Sequence, residues 1–151
     1  MQIETKYFGT VEYEAEELIT FPKGLFGFEE EHSFLLLPFS QEEDTLLSLQ
    51  STTTPPLSFL LMNPFALDPS YAPQPSQSEL GEMGVERSED LFYYVMCVVK
   101  EPVSESTVNL RCPVLMREET RQAMQVILED CPYHMRHRLA EFGAGEGGAP
   151  C

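Results

Sequence analysis

The densest group of chemistry-bearing side chains in this 151-residue sequence is Cys131-Pro132-Tyr133-His134-Met135-Arg136-His137, a thiol and two imidazoles within seven residues. Zinc takes Cys and His in a tetrahedral shell, so Cys131, His134 and His137 outline a metal-binding sensor or hydrolase. The set is incomplete. No fourth ligand stands at matching spacing, and an i, i+3 pair alone specifies little. A basic surface segment built on Arg136, His137 and Arg138 explains the same residues, and no metal or cofactor is expected.

Other arrangements offer less. Gly24-Leu25-Phe26-Gly27 holds two glycines but lacks the following Lys-Ser/Thr and downstream helix of a phosphate loop, and Glu29-Glu30-Glu31 would repel a phosphate. A tight turn accounts for it, with Gly24 or Gly27 at positive φ while Phe26 and Phe28 pack. No Gly-x-Ser-x-Gly elbow occurs, and the spacing of Cys, His and Asp residues brings no nucleophile to a base. Adjacent carboxylates at Glu16-Glu17, Glu29 to Glu31, Glu42-Glu43-Asp44 and Glu118-Glu119 solvate loops, and name no acid–base dyad. Cys97, Cys112, Cys131 and Cys151, spaced 15, 19 and 20 apart, form no Cys-x-x-Cys pair and read as reduced, idle thiols. The chain is not expected to be an enzyme.

Short strands must carry whatever these residues do. Leu18 to Phe21 runs into Pro22, Phe34 to Leu37 into Pro38, Leu46 to Ser51 into a Thr run and Pro55-Pro56, and Leu57 to Met62 into Asn63-Pro64. Proline removes a ladder donor, so runs punctuated this way predict an all-β barrel or sandwich. Pro64, Pro69, Pro73 and Pro75 forbid a long helix or central strand and make residues 63 to 90 a surface excursion with one helical turn, a type of loop that often binds. Leu91 to Val99 is continuously apolar and predicts a central strand buried on both faces. Phe21, Phe28, Phe34, Tyr94 and Val95 are expected in the core. Thr107 to Leu110 and Val114 to Met116 read as strands, then a turn or short helix from Arg117, then a strand from Met124 to Leu128. The Gly-rich tail 143–151 is expected to be disordered, leaving a single domain over 1–142.

The charge balance, 25 acids against 9 Lys plus Arg for a net −16, disfavours direct binding of nucleic acid, because a polyanion meets repulsion over most of such a surface. Residues 1 to 50 are the acidic pole, with 11 acids against 2 bases. The first residues lack the basic and apolar regions of a signal peptide, and no stretch approaches the ~18 apolar residues of a membrane helix, so the expected compartment is the cytoplasm. An acidic, loop-edged β-domain of this kind suits a binding module for a basic or helical protein. The contacts to expect are Glu29, Glu30, Glu31, Glu42, Glu43 and Asp44 on the loops, with Met62 and Phe65 at the mouth of the excursion.

Four segments in order resemble the flagellar assembly factor FliW family. They are Phe21-Pro22-Lys23-Gly24-Leu25-Phe26-Gly27-Phe28-Glu29 with Phe34-Leu35-Leu36; Leu49-Gln50-Ser51 ahead of Phe59-Leu60-Leu61-Met62-Asn63-Pro64; Thr107-Val108-Asn109-Leu110-Arg111-Cys112-Pro113-Val114; and Gln125-Val126-Ile127-Leu128 with Tyr133 to Leu139. The sequence departs from the family's usual pattern at Cys112, where Ala is usual, and at Arg117, where Asn is. The resemblance implies a compact β-barrel-like fold, no enzymatic activity, and two alternative protein partners, flagellin and the RNA-binding translational repressor CsrA. It further implies that the factor, freed as flagellin is exported, captures CsrA and lifts repression of flagellin translation. A monomer is expected when neither partner is bound. A general acidic chaperone for exported chains is the other binding-type reading.

Overall fold

Pro22, Pro38, Pro55, Pro56 and Pro64 cut the apolar runs as expected, and eleven short strands form among the residues the computed structural model describes, 1–39, 46–102, 105–129 and 131–139. They are β1 (Gln2–Thr5), β2 (Gly9–Glu12), β3 (Ile19–Thr20), β4 (Ser33–Pro38), β5 (Leu46–Ser51), β6 (Ser58–Met62), β7 (Phe92–Val98), β8 (Thr107–Val108), β9 (Val114–Arg117), β10 (Gln122–Gln125) and β11 (His137–Arg138). The tail 143–151 lies outside the described residues.

Seven strands close into a barrel in the order β7-β6-β5-β4-β3-β10-β9, with β9 returning to β7. All neighbours are antiparallel except β3 and β10. Closure is possible because one edge of β7 is shared: Phe92, Tyr93 and Tyr94 pair with β9, whereas Cys97 and Val98 pair with β8, which carries β11 outward. A closed sheet has no exposed edge to recruit another chain. The result is a compact single domain, a seven-stranded barrel with added strands.

Strand alternation divides the apolar side chains into two cores. Ile19, Phe34, Leu47, Leu49, Leu61, Val114, Met116 and Ala123 fill the barrel interior, joined by Phe21 and Leu25 from the turn after β3. Met62, Tyr93, Val95, Cys97 and Leu115 face the opposite way, into an outer core completed by Tyr71, Leu80, Met83 and Leu91 of the excursion and by Val126, Leu128 and Leu139. The turn after β3 needs its glycines. Gly24 has φ +69, and a Cβ there would lie 2.6 Å from the backbone of Glu29; Gly27 has φ +84.

Several expectations change. β7 meets a core on both faces, but unequally: Tyr93, Val95 and Cys97 are buried in the outer core, Tyr94 and Met96 half-buried against the barrel interior, and Phe92 and Val98 exposed at its ends. An apolar run conceals such alternation, because both faces read the same. Phe21, Phe34 and Val95 are fully buried, but Phe26 and Phe28 stand exposed, Phe28 packing edge-on against Phe59 at 5.0 Å. The strand expected over Met124 to Leu128 is instead Gln122–Gln125, leaving Val126 to Leu128 outside it, and it follows a turn in which the Arg121 amide donates to the Arg117 carbonyl and Arg121 takes φ 56. The β1–β2 hairpin was not among the expected strands. It rests on the barrel through the Lys6 amide, which donates to Gln50 Oε1 at 2.9 Å, and through Tyr7 and Phe8 against Phe39.

Candidate functional site

The excursion between β6 and β7 builds a structured surface. Asn63 starts it: its Oδ1 accepts the Phe65 amide at 3.0 Å and caps the short helix α1 (Pro64–Leu67). Tyr71 then turns inward, donating its hydroxyl to the Leu110 carbonyl at 2.7 Å and meeting Tyr133 edge-on at 4.7 Å. Ser76 and Glu79 form a reciprocal capping box for α2 (Gln77–Met83), which ends at Gly84 with φ +76. Leu80 and Met83 on α2 are buried. The segment is therefore a cover over the outer core, with two short helices instead of one helical turn.

Three hollows follow one another along this cover. The first, about 430 Å³, lies among Phe65, Pro73, Ser88 and Tyr93. A second of about 370 Å³ lies between Phe65 and Phe92, floored by Tyr93 and Tyr94. The third, about 490 Å³, is walled by Phe92, Gly84, Glu86, Arg117 and Glu118. Phe65 is held at 5.7 Å from the Tyr71 ring and 6.1 Å from Tyr93. Burial pushes the Tyr93 phenol up to about 12, and pushes Tyr71 up as well, so these two phenols are uncharged at neutral pH. Arg117, where the resembling family usually has Asn, donates to the Met83 carbonyl at 3.3 Å and to Glu119 at 3.0 Å, tying α2 to β9.

The expected contact residues scatter. Glu29 and Glu30 are exposed on the turn after β3, Glu29 accepting the Gly27 amide at 3.1 Å. Glu31 is committed internally: Ser51 and Thr54 hydroxyls donate to its carboxylate at 2.6 and 2.7 Å, and Thr53 at 3.3 Å. The Ser51 and Thr54 hydrogen bonds hold its pKa below the usual carboxylate range, against a smaller opposing effect of burial. Met62 is 6% exposed within the outer core, because it pairs with Val95 on the covered side of the sheet, and it offers no surface to a partner. Phe65 is 40% exposed, as expected. Glu42, Glu43 and Asp44 lie outside the described residues. Phe92 and the acids around it were not foreseen, since only the fold brings residues 63–65, 84–92 and 117–119 together.

The Cys131, His134 and His137 cluster does not assemble. Cys131 turns its thiol toward the Leu128 carbonyl at 3.6 Å, and His137 Nε2 accepts the His134 amide at 2.8 Å. No three His, Cys, Asp or Glu side chains are grouped to hold a metal among the described residues. Cys97 and Cys112 are buried free thiols, and burial pushes Cys97 up to about 12. No helix among the described residues is long and apolar enough to cross a membrane.

Comparison with known proteins adds to this geometry. The family model described as FliW protein matches residues 2–139. The flagellar assembly factor FliW of Shouchella clausii (strain KSM-K16) is 37% identical over 148 residues, covering 98% of this chain and 99% of that one. The flagellar assembly factor FliW of Geobacillus sp. (strain WCH70) is 35% identical over 139 residues, covering 92% and 95%. A crystal structure of the flagellar assembly factor FliW superposes with a TM-score of 0.85 at 33% identity, covering 92% of this chain and 96% of that one.

Proposed function

The chain belongs to the FliW family of flagellar assembly factors, and on that premise we propose that it binds flagellin and, alternatively, CsrA, relieving CsrA repression of flagellin translation. Members of this family are assembly factors, not enzymes. The observation that carries the reading is that the likeness runs through the barrel and its cover together, so the cover belongs to the shared fold. Charge supports it. A chain of net −16 repels RNA but suits a basic RNA-binding partner, and docked there it would disfavour RNA by repulsion. In this reading the factor is a cytoplasmic monomer when free, and Glu29, Glu30 and Phe65, with Glu42, Glu43 and Asp44, contribute contacts.

A homeostat needs the two partners to oppose each other, and coupling between binding events is reciprocal: each must weaken the other by the same factor. Calorimetric titration of each partner, alone and in the presence of the other, tests this. Both should bind in the micromolar range or tighter, at about −8 kcal/mol or beyond, and each should lose affinity equally when the other is bound. A stable ternary complex with both affinities unchanged would sink the antagonism. Capture of many unfolded chains, with no preference for flagellin, would favour a general export chaperone.

A further inference from the structure

Phe65 and Phe92 stand exposed on either side of the hollow of about 370 Å³, and each is also a wall of the next hollow along. The three hollows thus form one trough crossed by two aromatic ridges. Both ridges are fixed before any partner arrives. Phe65 is set by the Asn63 cap and by the Tyr71 and Tyr93 rings, and Phe92 stands on a barrel strand paired to Met116. Rigid aromatic anchors lose little entropy on binding, which is why they dominate interface energetics.

Both ends of the trough are polar, with Gln74, Ser88 and Glu89 at the first hollow, but most of its charged side chains lie at the third. Beyond Phe92, Arg87 is ion-paired with Asp90 at 3.5 Å and Arg117 with Glu119 at 3.0 Å. Glu86 and Glu118 line the same hollow, exposed and without an ion pair among the described residues. That end therefore carries uncompensated negative charge beside an exposed ring.

We infer that this trough is the docking site for the basic member of the partner pair, an inference that rests on the function proposed above. A protein that binds RNA carries Lys and Arg to neutralise phosphates, so the charge at this end selects CsrA over flagellin. An apolar side chain of CsrA enters between Phe65 and Phe92, and a neighbouring Lys or Arg reaches Glu86 and Glu118.

The test is calorimetric titration of purified CsrA, and separately of flagellin, into the full chain and three variants: Glu86→Lys with Glu118→Lys, Phe92→Ser, and Glu29→Lys with Glu30→Lys. The first double reversal should weaken CsrA about tenfold or more at low salt, and the deficit should narrow at about 0.5 M salt. Phe92→Ser should weaken CsrA at both salt concentrations. Flagellin affinity of the trough variants should stay within about threefold of the unsubstituted chain, and the Glu29 and Glu30 variant, with the same change of charge, should lose less CsrA affinity than the Glu86 and Glu118 variant. Circular dichroism checks folding; Glu86 and Glu118 are exposed, so their reversal reports even if Phe92→Ser does not fold. Unchanged CsrA affinity in the Glu86 and Glu118 variant overturns the inference, as does a CsrA loss confined to the Glu29 and Glu30 variant. If the unsubstituted chain binds neither partner, the proposed function itself falls; if it binds both and the trough variants match it, only the trough does.

Discussion

Glu31 shows how a single carboxylate can look like surface and act as structure. Its sequence neighbours are acidic, and nothing within ten residues announces that Ser51, Thr53 and Thr54, some twenty residues on, will close around it. Met62 is the apolar counterpart: its position at the mouth of the excursion was legible, its side of the sheet was not, because strand register decides that and register is set by partners distant in sequence. Phe65 was legible because Asn63-Pro64 ends the apolar run before it and opens the proline-rich excursion. For Glu31 the pKa depression has a thermodynamic consequence. The folded chain binds this proton less readily than the unfolded chain, so the contribution is complete above the ordinary carboxylate range and is lost as pH falls through that range and below it. Hydrogen bonds to a charged acceptor, discounted for partial solvent exposure, put it on the order of 1 kcal/mol. Glu31→Gln should therefore lower stability by about that amount at pH 7 in urea titrations, and the difference from the unsubstituted chain should shrink toward zero in acid. A difference independent of pH would assign the effect to geometry instead of charge.

Elements bounded by proline were the ones the sequence displayed best. β5 has the same limits in sequence and structure, Leu46 to Ser51, because a strand ended by turn residues needs no tertiary information to locate. The β1–β2 hairpin is the opposite case. Its strands alternate weakly, and the hairpin is secured by distant residues, Gln50 and Phe39. The excursion falls between. Its prolines exclude a long helix, yet Ser76 and Glu79 stand at the capping-box spacing, and that local signal is what allows the seven residues of α2 to form. Since α2 carries Leu80 and Met83 into the outer core, loosening its start should loosen the cover. Ser76→Ala should cost about 1 kcal/mol, the usual value of a lost N-cap, measured by chemical denaturation. Amides of residues 77–83 should gain hydrogen-exchange rate before those of β5 do. A loss spread evenly over barrel and cover would show that the two melt as one unit and that the cap acts only on global stability.

Charge is the property of the whole chain that the sequence displayed most directly, and the fold determines how it acts. Four ion pairs form among the described residues, Lys23–Glu82, Arg87–Asp90, Arg117–Glu119 and Arg138–Glu105, each with at least one well-exposed partner. Pairs of this kind contribute roughly 0 to 1 kcal/mol each, and salt weakens them. Opposing them is the mutual repulsion within a chain of net −16, which salt also weakens. Repulsion involves many more charges than pairing does, so screening should stabilise the fold on balance. The melting temperature should rise by about a few degrees between about 10 mM and 0.3 M sodium chloride. Reversing Glu86 and Glu118 to Lys changes the net charge from −16 to −12, because each substitution adds two charge units. That variant should melt higher than the unsubstituted chain at low salt and respond less to added salt. A melting temperature that falls with salt would mean that the ion pairs, not the repulsion, dominate. The same variant is the one expected to bind CsrA poorly, so a stabilised fold with a weakened partner would separate the two uses of its charge: carboxylates that lower stability in the free chain and hold a basic partner in the complex.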